Sequence, residues 1–343
     1  MKRLWRDFVS RGLSTGRWLK TCRWGLCLAA VALPLQQASA EPIVIRFSHV
    51  VGPNTPKGIG AQRFKALVEQ KLPGKVRVEI YGGGSRFNDE QAILALLFGE
   101  IELAAPSFSK FRAVSNELMI FDVPFLFKDR DALKRFQAGR SGQRLLDSML
   151  DRGLKGLAYW DNGPRVIATK RPVKAPGDLR GLTFRIEPSA VIERQYRSLR
   201  VVPITMPFSR VRDAARSGLI SGQENAWSNI LSKGLHEFHP HFAEVGHTFL
   251  GYMLVTSTAF WDGLPSDVRG ELEKILGQVT EEVNKLALEK HTQSRSKVLE
   301  SGKAQVFTPT DAQRAAWEEA LAPVREAFAD RIGRQLLNDA VGN

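Results

Sequence analysis

Cysteine is nearly missing from this chain of 343 residues: Cys22 and Cys27 are the only two, and both precede residue 41. Everything after that point can carry neither a disulfide framework nor a thiol nucleophile, and must hold its fold by packing alone. Other absences narrow the reading further. The sequence has no G-x-S-x-G elbow, no H-E-x-x-H pair, no G-x-G-x-x-G spacing and no Gly-Lys-Ser/Thr phosphate loop, which removes the usual signatures of hydrolases, zincins and nucleotide enzymes. It has no repeats, no low-complexity tract and no Pro/Gly/Ser-rich linker. Acid is also short: 49 Lys and Arg face 36 Asp and Glu, a formal charge of +13. The first forty residues hold seven of the bases and one of the acids, leaving 42 against 35, or +7. The remaining bases are scattered among acids without interleaved aromatics, so no nucleic-acid surface is expected. A mildly positive body suits an anionic ligand.

What is present begins with the leader. Basic residues precede the apolar run Leu26–Leu35, followed by "QQASA" ending at Ala38-Ser39-Ala40. A positive flank, a short apolar core and an A-x-A site together make a cleavable secretory signal, and ten apolar residues are too few to span a bilayer that needs roughly 20. Residues 1–40 are therefore expected to be removed, leaving a periplasmic protein.

The mature chain reads as alternating strands and helices. "IVIRFSHV" (43–50) is a β-branched strand, 57–72 has helical apolar spacing ending at Pro73-Gly74, "KVRVEIY" (75–81) alternates, and a helix capped by Asn88 or Asp89 follows. Further strands are expected at 156–159, 166–169, 183–186 and 201–204, and helices near 129–152, 189–198 and 208–217. After Pro265 a helical pattern runs to about Ser301, longer than ordinary globular helices. This order predicts an α/β protein with parallel sheets, in two lobes meeting near residue 162, with the long helix as a spine across both and the ligand cleft between them.

"YGGGSRFNDE" (81–90) reads as a tight turn before a helix. "HEFHPH" gathers His236, His239 and His241, but Pro240 interrupts helical ligand spacing and no second cluster completes a shell, so surface histidines and no metal are expected. The arginines carry more chemistry. Arg165 stands after a turn at the entrance of a strand, and Arg185 near the end of another. A guanidinium fork at a strand end facing a cleft can hold a carboxylate by two parallel bonds. "SGQENAWSNI" (221–230) supplies Asn225 from a third segment, and Phe208 can wall the same pocket.

With these residues collected, the chain resembles the solute-binding proteins of tripartite ATP-independent periplasmic (TRAP) transporters, most closely their four-carbon-dicarboxylate group. The resemblance rests on "FSHVVGPNTPKG", "NDEQAILALLFGEIELAAPSFSKF", "FDVPFLF", "YWDNGPR", "DLRGLTFRI", "VPITMPFSRV" and "SGQENAWSNI", in order over residues 43–335. It implies a two-lobed periplasmic-binding-protein-like fold, with 41–162 plus 251–290 as one lobe and 163–250 plus 291–343 as the other. It implies Arg185 as the main carboxylate clamp, Arg165 as an accessory anion contact, Asn225 facing the ligand from a cleft loop, and Phe208 lining the pocket. His49 and Lys57, on the first loop, would meet a second carboxylate, and Ser107 would face the cleft. The implied protein is a monomer without cofactor or catalytic residue, which binds a small organic acid anion such as succinate, malate or fumarate and delivers it to membrane permease subunits. Departures from the group's pattern, Gly163-Pro164-Arg165, Ala226 and Arg86, leave Arg185 untouched. A sensory module or an enzyme acting on organic acids, with Glu224 or Glu187 as base, are the competing readings.

Overall fold

The computed structural model describes residues 41–342; the leader and its two cysteines lie outside them. Strand β1 (Ile43–Ser48) leads into helix α1 (Pro56–Lys71), which Thr55 caps by accepting from the Gly58 amide. Next come β2 (Val76–Tyr81), α2 (Asp89–Leu97) and the short β3 (Leu103–Ala104). Two 3-10 turns follow, then α3 (Arg130–Ala138), α4 (Arg140–Leu146) and β4 (Leu154–Pro164). The middle of the chain supplies β5 (Val166–Thr169), β6 (Thr183–Ile186), α5 (Ala190–Ser198), β7 (Val202–Thr205) and α6 (Val211–Ser217). It continues through β8 (Gly222–Asn225), α7 (Trp227–Ser232), β9 (His241–Ala243), β10 (Phe249–Ser257) and α8 (Thr258–Asp262). The long α9 (Ser266–Glu300), β11 (Gln305–Phe307), α10 (Asp311–Ile332) and α11 (Arg334–Val341) complete it.

The strands form two sheets, ordered β2-β1-β3-β10-β4 and β11-β9-β5-β8-β6-β7. Neither is wholly parallel as expected. β10 runs antiparallel to β3 and β4, and β5 antiparallel to β8 and β9. The physical reason is that the chain crosses between the sheets on long strands, with one residue, Arg165, separating β4 in the first from β5 in the second. Such a crossing reverses direction where a helical crossover would preserve it. The "WDNG" segment expected as a turn is instead strand, bent by register shifts opposite Leu250 and Gly251, with Gly163 at φ 104° supplying a backbone conformation that a Cβ disfavours. The expected helix over 129–152 is broken into α3 and α4, because Gly139 sits extended between them.

The protein is thus a two-lobed α/β fold whose lobes share apolar packing. One buried cluster contains Phe108, Phe121 and Met253 beside Phe184, Tyr196 and Trp317. Helix α9 ties the sheets together. Its first half packs on α1 and β4, where Trp160 donates to Thr280 at 3.0 Å. Its second half reaches α7 and the end of β9, where Arg295 bonds Glu244 at 2.8 Å. No described helix is long and apolar enough to cross a membrane.

Candidate functional site

Arg185 lies on β6, paired with Gln223 of β8 on one side and Ile204 of β7 on the other. Its side chain is buried and donates from Nε and Nη2 to the Met206 carbonyl, at 3.2 and 3.1 Å. The guanidinium carbon stands 6.0 Å from the Phe208 ring centre. Among the described residues no carboxylate forms an ion pair with Arg185, and Nη1 has no hydrogen-bond partner. Burial pushes this arginine below its ordinary pKa, against the pull of Glu187 and with the push of Arg165. A buried cation with an unused donor edge is costly without an anion. It is what a ligand carboxylate would relieve.

Arg165 is in the opposite condition. Its Nη2 donates to Glu187 Oε2 at 2.6 Å, and its Nη1 to Glu224 Oε1 at 3.4 Å. Glu224 is bound further by the Tyr196 hydroxyl at 2.6 Å and lies 2.7 Å from His247 Nε2. Burial opposes the charge on Arg165, but Glu187, Glu224 and Asp122 outweigh it and hold its pKa above normal. Burial likewise opposes ionisation of Glu187, yet Arg165, Lys110 and Arg185 keep it ionised well below the usual range. The charge of Arg165 is paired by the protein itself.

Three of the other expected residues line a cavity of about 20 Å³, which Arg165, Arg185 and Lys57 do not line, with room for roughly one water. Ser107, Phe208 and Asn225 line it, with Asp89, Glu187 and Tyr252. Ser107 Oγ donates to Glu187 Oε1 at 2.8 Å, so the first sheet's side is bonded to the second's across the cavity. Asn225 Oδ1 accepts from Asn229 Nδ2 at 2.8 Å and from the Ala226 amide at 3.1 Å, which leaves its own amide hydrogens uncommitted among the described residues. Lys57 is wholly buried, donates to the Ala105 carbonyl at 2.7 Å and sits 3.7 Å over the Tyr252 ring. Burial pushes it down to about 8, with Asp89 and Glu187 resisting. His49 does not line the cavity; its ring packs against Phe47 and beneath Gly82. Larger hollows of about 830 and 840 Å³ lie along α9 and β4 and beside α4 and α11, and none of these seven residues lines either.

Three local expectations change. Residues 222–225 are a buried strand end rather than a loop, because β8 is sandwiched between β5 and β6. Lys57 belongs to the first turn of α1, as the helical spacing from residue 57 indicates, and not to the loop before it. His239 is not at the surface: it is fully buried, with Nε2 3.3 Å from the Ile220 carbonyl, while His241 starts β9. Among the described residues no group of three His, Cys, Asp or Glu is arranged to hold a metal.

Sequence reasoning missed Asp89, Lys110, Asn229 and Tyr252 as neighbours of the site, and considered Glu187 only as a base. Two of these left a signal. Glu187 is two residues beyond Arg185, hence on the same face of the extended chain. Of Asn88 and Asp89 only one can cap α2; Asn88 does so, in a reciprocal capping box with Gln91, which frees Asp89 to face inward. Lys110 and Tyr252 arrive by tertiary packing alone.

The buried histidines give a pH dependence. Burial pushes His49 down to about 3, with Lys57 adding to it, and His239 down to about 4. The unfolded chain protonates both near 6.5. It therefore binds more protons than the fold between those values, and stability falls as pH drops below about 6.5. By pH 5 each histidine costs about 2 kcal/mol. Asp122, pushed up to about 6 by burial against the pull of Arg165, works the other way. The fold keeps its proton where the unfolded chain loses it, which returns about 1.4 kcal/mol. A urea titration at pH 7 and pH 5 should show a lower midpoint at pH 5, by about 2–3 kcal/mol in stability. A higher midpoint at pH 5 would contradict the buried neutral state of these rings.

Against known proteins, the profile of the family described as bacterial extracellular solute-binding protein, family 7, matches residues 47–331. The C4-dicarboxylate-binding periplasmic protein DctP of Shewanella loihica is 40% identical over 304 residues, which is 89% of this chain and 90% of that protein. Its Rhodobacter capsulatus counterpart is 38% identical, covering 91% and 95%. Among solved structures, a TRAP periplasmic solute-binding protein from Shewanella oneidensis with bound succinate superposes with TM-score 0.87 at 40% identity, over 88% of this chain and 99% of that one. One from Pseudomonas aeruginosa with bound L-malate gives 0.82 at 41% identity, over 84% and 100%.

Proposed function

Since the chain belongs to the bacterial extracellular solute-binding protein family 7, we propose that it captures a small organic acid in the periplasm, a C4-dicarboxylate first of all, and passes it to a TRAP membrane permease. It is a binding protein rather than an enzyme. The observation that carries the ligand reading is Arg185, a buried guanidinium with a free edge and, among the described residues, no carboxylate at ion-pair distance. The relatives that bind C4-dicarboxylates, and the similar structures holding succinate and L-malate, support the same ligand class.

In this reading residues 41–162 with 251–290 form one lobe, and 163–250 with 291–343 the other. Residues 1–40 are the export signal, and the protein works as a monomer. A carboxylate binds Arg185 from the second lobe and is met by Asn225, while Lys57 and Ser107 reach the solute from the first. A cavity that holds one water must first open, by parting Ser107 from Glu187. Contacts made only in the closed state then draw the lobes together.

A thermal-shift series with succinate, fumarate and malate tests the proposal. An acid at a hundred times its dissociation constant adds about 2.7 kcal/mol, which should raise the melting temperature by about 5 °C or more. If no C4 acid at millimolar concentration moves the transition, the ligand class is wrong.

A further inference from the structure

Asp89 is the charged group on the cavity wall that neither helix capping nor the carboxylate clamp explains; on the same wall the uncharged Asn229 Oδ1 is also without a partner among the described residues. Asp89 opens α2, lines the cavity and is only 6% exposed. Helix capping does not need it, since Asn88 and Gln91 complete the capping box. Among the described residues its carboxylate makes no hydrogen bond and no ion pair. Glu187, the other carboxylate on this wall, is by contrast held by Arg165, Ser107 and Lys110. Burial pushes Asp89 above the ordinary carboxylate range; Lys57, Lys110 and Arg185 pull the other way from longer range, and Glu187 adds to the rise. What Asp89 lacks is a donor at contact distance.

We propose that Asp89 binds a hydroxyl group of the solute, so that the preferred ligand is a hydroxylated C4-dicarboxylate rather than an unsubstituted one. A carboxylate can only accept hydrogen bonds, and a buried acceptor left unfilled keeps its desolvation penalty. Succinate offers it no donor; malate, with the same two carboxylates, offers one hydroxyl. An ammonium would also donate, but the three cations around Asp89 repel it. Discrimination through a buried polar group is steep, because the analogue without the donor strands the acceptor.

The inference rests on the dicarboxylate reading of the cavity, and the test separates the two. Calorimetric titration of the full mature chain with L-malate and with succinate should give malate the tighter binding by about ten- to a hundredfold. In Asp89→Ala the ratio should fall toward one, chiefly by loss of malate affinity, with succinate still bound through Arg185. Asp89→Asn keeps a neutral acceptor in the same volume and should give an intermediate ratio, which also serves if the alanine variant fails to fold. Equal affinities in the unmodified protein, or a ratio unchanged in both variants, would overturn the Asp89 assignment and leave the dicarboxylate reading standing. Binding of neither acid would overturn both.

Discussion

Arg185→Ala is expected to lose solute affinity by about 30- to 4,000-fold, with little change in folding. The range corresponds to the roughly 2–5 kcal/mol that truncating one partner of a buried charge pair costs in a complex. The folding half of the expectation follows from the ligand-free geometry. Arg185 spends two nitrogens on one carbonyl and, among the described residues, has no carboxylate at ion-pair distance, and burial already works against its charge. Removing a buried cation with no carboxylate at contact distance among the described residues relieves a desolvation cost, which offsets the lost packing and the two bonds to Met206. Calorimetric titration of wild type and variant with the same acid, beside melting curves of both without ligand, measures the two halves separately. Affinity within threefold of wild type would remove Arg185 from the site.

Arg165→Ala should fail in the other way. This residue joins Glu187 and Glu224 at 2.6 and 3.4 Å, all three side chains being buried. Taking it away strands two carboxylates in the interior. Breaking a buried pair costs about 3–5 kcal/mol, or a fall of about 6–15 °C in the melting temperature of a chain this size. Affinity would drop as a consequence, because Glu187 would keep only Ser107 and Lys110, and Glu224 only Tyr196 and His247, and the wall beside Arg185 would shift. Scanning calorimetry of the ligand-free variant decides the matter. A melting point within about 2 °C of wild type, together with lost binding, would make Arg165 a direct ligand contact rather than the post that holds the wall.

The contrast between these two arginines marks the limit of what the chain revealed in one dimension. Both sit beside strand ends, and nothing local distinguishes them. One, Arg165, is neutralised by Glu187, 22 residues away, and by Glu224, 59 residues away. Strand and helix positions were readable wherever periodicity was strong, as in α1, β2 and α9, and Arg185 was readable near the end of a strand, whereas Asn225 was expected on a loop and lies on β8. Sheet direction was not, because β4 and β10 are long strands whose pairing is settled by a partner some ninety residues off. The burial of His239 was also illegible: Pro240 marks a turn, but only the packing of β9 and β5 shows which side of that turn faces the core. Asp89 was legible in principle. Two capping residues stood side by side for a single cap, and the surplus one had to be explained.

One consequence of α9 concerns mechanics. Thirty-five residues of unbroken helix make a rod about 52 Å long, clamped to the first sheet along its front half and to α7 and Glu244 along its rear. The swing of one lobe against the other cannot be concentrated at a single swivel while both clamps hold. It must be taken up as gentle curvature spread over many turns, or as slippage of α7 along the rod. Under the proposed closure, curvature would store elastic energy and give it back, so the rod would act as a leaf spring that returns the jaws to rest once the cargo has gone.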